Sequence, residues 1–208
     1  MDERDKQRIN ARYDQRLEQH SDDDARSLAV GSDGRHAMAL QCLVDVGIVS
    51  ETTVLDVGCG MGALHEHLVA SGLACSYTGY DINPQLIERA KQRHPGMAFE
   101  VHDILQEEFP EFDFVVSSSS FNLKLEHEGN YAFIERMLRT MYGHARRAVA
   151  VDLMTSYVDF RHPDVFYYEP ERVLSIAKGI TKRVALRHDL PLFQFCVYLY
   201  PDFEGWGR

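Results

Sequence analysis

The sequence predicts an α/β chain: a doubly wound, mostly parallel seven-stranded sheet with helices on both faces and an antiparallel hairpin at its C-terminal end. Three observations predict it. Short apolar runs alternate with apolar stripes at helical spacing, a glycine-rich turn follows the first run directly, and the last two runs are joined by a connection too short for a crossover.

Ile9, Tyr13 and Leu17 recur at helical spacing among charged residues. Asp22 to Asp24 and Gly31-Ser32-Asp33-Gly34 break that pattern before Met38, Cys42, Leu43 and Val46 resume it, so two helices precede the first strand. Thr53 to Val57 is a strand ending at glycines, Leu64 and Leu68 mark a helix, and Tyr77 to Tyr80 is a second strand closing on Asp81. Pro84 opens a helix carrying Leu86, Ile87 and Ala90. Met97 to Val101 and Phe112 to Val116 read as the third and fourth strands, Tyr131 to Met141 as a helix, Ala148 to Leu153 as the fifth strand, and Pro170 to Ala177 as a further helix. Arg183 to His188 and Phe193 to Tyr200 flank only Asp189-Leu-Pro-Leu192, so they must pair antiparallel.

With 208 residues the chain suits one domain, read as an N-terminal helical lid over 1–48 and an α/β core over 49–208. A hydrophobic content of 45% and a charged content of 26% exclude disorder. Lys plus Arg number 22 against 32 Asp plus Glu, a formal charge of -10, which argues against a general polyanion-binding surface and hence against nucleic acid. The start lacks an apolar signal core and no long apolar run follows, so a cytoplasmic location without membrane attachment is expected. Cys42, Cys59, Cys75 and Cys196 are scattered, with neither disulfide nor zinc-site spacing, and no catalytic metal is expected.

The first strand runs into Asp56-Val-Gly-Cys-Gly-Met-Gly62, where glycines allow a tight turn and a ligand's close approach to main-chain N–H groups. The spacing is Gly-x-Gly-x-Gly, not the Gly-x-Gly-x-x-Gly of dinucleotide enzymes, and Asp56 stands two positions ahead of it. A carboxylate there repels a pyrophosphate and suits a ligand bearing an ammonium group. Asp81, at the end of the second strand, is placed to accept the hydroxyls of a ribose.

Val54-Leu-Asp-Val-Gly-Cys-Gly-Met-Gly62, Tyr80-Asp-Ile-Asn-Pro84, His102-Asp-Ile104 and Phe112-Asp-Phe-Val-Val116 resemble, in order, the successive motifs of class I S-adenosylmethionine-dependent methyltransferases, which have a Rossmann-like fold. The resemblance implies S-adenosyl-L-methionine as cofactor and S-adenosyl-L-homocysteine as product. It also implies that Asp56, Gly58, Cys59 and Gly60 lie along the methionine moiety, that Asp81 holds the ribose, and that Ile82 packs on the adenine. His102, Asp103 and Ile104 would border the adenine, and Ser117 and Ser118 would flank the cofactor. Cys59 is read as a packed side chain, not a nucleophile. A looser resemblance, from Leu28-Ala-Val-Gly-Ser32 through Phe166-Tyr-Tyr-x-Pro170 to Arg187-His-Asp-x-Pro-Leu-Phe-x-Phe195, is to small stand-alone bacterial methyltransferases; there it sets Arg35 near the cofactor carboxylate.

The acceptor side is less uniform. Ser117-Ser-Ser-Ser-Phe-Asn-Leu-Lys124 departs from the Asn-Pro-Pro-aromatic pattern of DNA and protein-amide methylating relatives. Asn122 is a candidate catalytic residue, and Lys124, Tyr157, Arg161 and Tyr168 are candidate substrate contacts, Arg161 as a clamp for an acidic acceptor. His188, with Asp189 to orient it, is the candidate general base. The expected function is methyl transfer to O or N of a small molecule, acidic or hydroxylated, by a monomer or homodimer. A protein or nucleic-acid methyltransferase, and a non-catalytic S-adenosylmethionine-binding subunit, stand as alternatives.

Overall fold

The structure is a computed structural model that describes residues 1–20, 34–191 and 193–202. The sequence breaks at Asp22 to Asp24 and Gly31-Ser32-Asp33, the Leu28-to-Ser32 stretch and Leu192 lie outside them.

Seven strands form one sheet: β1 (Thr53–Val57), β2 (Ser76–Asp81), β3 (Ala98–Val101), β4 (Phe112–Ser117), β5 (Ala145–Met154), β6 (Arg183–Arg187) and β7 (Gln194–Tyr200). Their order is β3-β2-β1-β4-β5-β7-β6, and only β7 runs antiparallel to its neighbours. The chain moves outward one way from β1 to β3 and the other way from β4. A crevice therefore opens where β1 and β4 end, the place where such sheets take ligands.

Residue alternation explains why these runs are strands buried on both faces. In β5, Val149, Val151 and Leu153 enter one core cluster, while Ala148 and Ala150 enter the other. In β7, Phe195, Val197 and Leu199 alternate likewise with Cys196 and Tyr198. The helices α1 (Glu3–Gln19), α2 (Arg35–Val44), α3 (Ala63–Ala70), α4 (Pro84–Arg93), α5 (Asn130–Gly143) and α6 (Pro170–Lys178) flank the sheet. Leu40, Leu43, Leu64 and Ile87 pack on one face; Phe133, Ile134, Leu138 and Val173 pack on the other. The α4 start follows from its residues: Asn83 Oδ1 accepts from Leu86 N at 3.0 Å, with Pro84 in the first turn.

Helix α1 lies across the C-terminal rim of the sheet. Asn10 Nδ2 donates to the Ile82 carbonyl at 3.2 Å, Asp14 Oδ1 accepts from Asn83 Nδ2 at 2.8 Å, and Lys6 pairs with Asp103 at 3.0 Å. At its N-terminal end the fully buried Asp5 accepts from Glu126 N at 2.9 Å and His127 N at 3.0 Å. Among the described residues no helix is long and apolar enough to cross a membrane.

Asp5→Ala leaves two backbone N–H groups without their acceptor. The expected loss is about 1–3 kcal/mol in urea unfolding, with faster proteolysis near α1 and the Glu126 loop.

Candidate functional site

A cavity fills the crevice between the sheet rim and α1, with about 1080 Å3 of empty space when its open mouth is counted. Its floor is the glycine loop. Gly58 and Gly60 take φ of +73° and +56°, and a Cβ on Gly58 would stand 2.2 Å from Ser120 Oγ, so only glycine permits this approach. Ser120 Oγ in turn donates to the Gly58 carbonyl at 3.0 Å, tying the loop after β1 to the loop after β4. Asp81 fixes the other side: one oxygen accepts from Gly60 N at 3.0 Å, the other from Asn83 N at 2.9 Å.

Asp56 is almost fully buried, and its Oδ2 accepts from Tyr77 Oη at 2.8 Å while Oδ1 has no partner among the described residues. Burial pushes its carboxyl from 3.8 up to about 7; the Tyr77 hydrogen bond opposes this, and Asp81 and Asp152 add to it. Burial also raises Asp81 and moves the Cys59 thiol well up, so Cys59 stays protonated and packed. An orphaned buried carboxylate oxygen, a cradle that a Cβ would fill and a second aspartate one strand away suit a ligand carrying an ammonium group and a ribose.

Of the expected cofactor residues, Asp56, Gly58, Cys59, Gly60, Asp81, Ile82, His102, Asp103, Ile104 and Ser118 line the cavity. Ser117 does not. It is fully buried and donates to the Val57 carbonyl at 2.7 Å, fastening β4 to β1. Arg35 stands exposed at the start of α2 while its neighbour His36 lines the cavity, with its imidazole pKa lowered by burial. His102 stacks on Tyr80 at 4.3 Å. Asp103 Oδ1 accepts from Leu105 N at 3.1 Å and Oδ2 from Lys6.

None of the expected catalytic or substrate residues lines this cavity. Tyr168, expected at the substrate, is a core residue: fully buried, its hydroxyl donates to the Phe121 carbonyl at 2.9 Å. Asn122, expected in catalysis, accepts from Met154 N at 2.8 Å and holds the loop after β4 against the end of β5. Lys124 is exposed and its backbone bonds Asp164. Tyr157 donates to Glu171 at 2.6 Å, and Arg161 lies on Tyr167 at 5.6 Å, both at the exposed surface. His188 follows β6 on the expected rim but packs outside the cavity, 5.9 Å from the Tyr157 and Phe195 rings. Asp189, expected to orient it, pairs with Arg187 at 3.2 Å.

Sequence reading missed Asn10, Tyr13, His36, Phe133 and Met137, which also line the cavity. The helical stripe of Ile9 and Tyr13 was visible; which surface it covers is decided only by tertiary packing.

Three comparisons bear on this geometry. The family described as methyltransferase domain matches residues 54–143. A Mycobacterium tuberculosis protein named "Putative methyltransferase Rv1506c" is 32% identical over 150 residues, 70% of this chain and 90% of that one. The chain belongs to the class I S-adenosylmethionine-dependent methyltransferases. The trans-aconitate 2-methyltransferase of Methylobacterium nodulans is 34% identical over 84 residues, 40% of this chain and 33% of that enzyme. In fold, this methyltransferase matches the magnesium protoporphyrin IX methyltransferase of Synechocystis PCC 6803 with a TM-score of 0.67 at 14% identity, over 93% of this chain and 96% of the other.

Because the folded state holds the Asp56 proton more tightly than the unfolded chain, its contribution to stability is present below pH about 4 and lost as pH rises through about 7. Asp56→Asn is therefore expected to stabilise the ligand-free protein at pH 8, by on the order of 1–3 kcal/mol, and to leave stability unchanged at pH 4. Chemical unfolding at the two pH values checks this.

Proposed function

We propose that this methyltransferase moves the methyl group of S-adenosylmethionine to O or N of a small molecule bound in the rim cavity, under α1 as a lid. The observation that carries the reading is the enclosure itself: one cavity runs along the strand ends from the glycine loop to Ser118, Ser119 and Ser120, with Asn10 and Tyr13 of α1 lining its other side. No Lys or Arg among the described residues lines it, and the net charge is -10, neither of which suits a nucleic-acid strand.

In this reading Asp81 accepts the ribose hydroxyls, beyond the two backbone N–H groups it already holds. Ile82 and Ile104 sandwich the adenine, His102 and Asp103 border it, and the Lys6 ammonium pairs with Asp103 at 3.0 Å. Asp56 holds the amino group through its unpartnered oxygen, and the backbone of Gly58, Cys59 and Gly60 follows the methionine chain. The cofactor supplies a methyl group activated by a sulfonium, so the chain's own task is to position the acceptor in line, exclude water and take up a proton.

Asp81→Ala is expected to weaken S-adenosylmethionine binding at least tenfold in calorimetry; unchanged affinity would remove the ribose assignment. For the acceptor, the protein is incubated with methyl-tritiated S-adenosylmethionine and separate low-molecular-weight, protein, RNA and DNA fractions of a bacterial extract. Label is expected in the small-molecule fraction, and label confined to a macromolecule would contradict the reading.

A further inference from the structure

A buried polar cluster stands where β4 and β5 end, beside the cavity and unused by the cofactor assignments above. Asp152 on β5 is almost fully buried. Ser119 lines the cavity with a φ of +56°, a left-handed conformation costly for a residue with a Cβ. That turn lets one residue engage both carboxylate oxygens: Ser119 N donates to Oδ1 at 2.6 Å and Ser119 Oγ donates to Oδ2 at 3.0 Å. Gln194, at the start of β7, donates from Nε2 to Oδ2 at 2.7 Å and to Ser119 Oγ at 2.9 Å. Ser119 Oγ thus spends its proton and one lone pair inside the cluster and keeps one lone pair. Next to it, Ser118 also lines the cavity; its buried Oγ finds no well-formed hydrogen bond among the described residues, although it lies close enough to Asp152 to favour the carboxylate.

We propose that Ser119 and Asp152 form a proton relay for the methyl acceptor, and that the acceptor is therefore a hydroxyl or an amine and not a carboxylate. The proposal rests on the small-acceptor reading above. In the transfer the acceptor oxygen or nitrogen bonds the methyl carbon, and sulfur keeps the electron pair of the broken S–C bond. The acceptor proton passes to Ser119 Oγ while the serine's own proton passes to Asp152 Oδ2. The sulfonium charge leaves with that proton. Ser119 is the catalytic residue; Asp152 and Gln194 are positioning residues that act through it.

Two observations support the substrate class. A carboxylate acceptor arrives already ionised, needs no base and needs a cation, yet the cavity presents Asp56, Asp81 and Asp103 and, among the described residues, no Lys or Arg. Arg161, the expected clamp for an acid, lies away from it. The groups around Asp152 also suit proton uptake near neutrality. Ser118 and Ser119 face it from the loop after β4. Gln194 and Cys196 face it from β7, and Asp56 is felt from β1. Burial moves its carboxyl up to about 6 against the serine hydrogen bonds.

Calorimetry reads the relay without any acceptor. S-adenosylmethionine and S-adenosylhomocysteine are titrated at pH 6 in two buffers of different ionisation enthalpy, into the wild type and Asp152→Asn. The cationic ligand is expected to release more protons than the neutral one, and the excess is expected to shrink in Asp152→Asn; an excess that the variant leaves intact overturns the proposal. In the tritium assay above, Ser119→Ala is expected to bind S-adenosylmethionine within about threefold of wild type, to turn over on the order of 100-fold more slowly or worse, and to lose the rise in rate through pH 6. Wild-type turnover in Ser119→Ala overturns it. The labelled product is then treated with mild alkali. An ether or N-methyl label survives, as expected, whereas release as methanol marks a methyl ester and overturns the assigned acceptor class. The fraction carrying the label decides the small-acceptor reading by itself, so the two fail separately.

Discussion

Buried negative charge with no lining Lys or Arg among the described residues is the constraint around which this site is organised. Asp56, Asp81 and Asp103 line one cavity, and Asp152 stands behind it. A carboxylate removed from water is costly unless hydrogen-bonded or neutralised. The fold responds in three ways. Asp81 is held by two backbone N–H groups, Asp103 is paired with Lys6 of α1, and Asp56 and Asp152 are pushed toward their protonated forms. A cationic ligand completes what the chain leaves unfinished, and a sulfonium with an ammonium group is such a ligand.

The sheet sets the positions. Asp56 pairs in register with Val116, and Val116 with Ala150, so Asp152 lies one pleat further along the same face. Asp56 and Asp152 thus stand two strands apart on one side of the sheet, on the order of 10 Å from each other by strand spacing. That separation leaves room between the methionine end and the serine loop. Across the rim, α1 reaches from Asp103 and Asn83 on one side to the Glu126 loop and Asp164 on the other. A single helix therefore joins the loops after β2 and β3 to those after β4 and β5.

The strands, the hairpin and the glycine loop were legible because their signals are local: alternation in β5 and β7, glycines after β1, a short connection between β6 and β7. That Asp56, Asp81 and Asp103 share one cavity was legible for the same reason, since each sits at or just beyond a strand end. The acceptor side was not. Tyr168 and Asn122 have the chemistry of site residues, but burial and backbone hydrogen bonds commit them to the core, and sequence does not reveal burial of a polar tip. His188 was placed on the correct rim by topology, yet lateral position along a rim depends on loop packing. His36 and Tyr13 lie in the cavity through the docking of α2 and α1, a tertiary outcome with no local signature. Ser119 lies in the serine run after β4; its left-handed turn toward Asp152 is a backbone fact that only the fold supplies.

In the proposed function one cavity holds the cofactor and the acceptor side by side. A crystal structure with S-adenosylhomocysteine tests it most directly. The adenosine is expected between Ile82 and Ile104, the ribose on Asp81, and the sulfur directed toward Ser119. Adenosine outside this cavity, or a sulfur directed away from the serine loop, would contradict it.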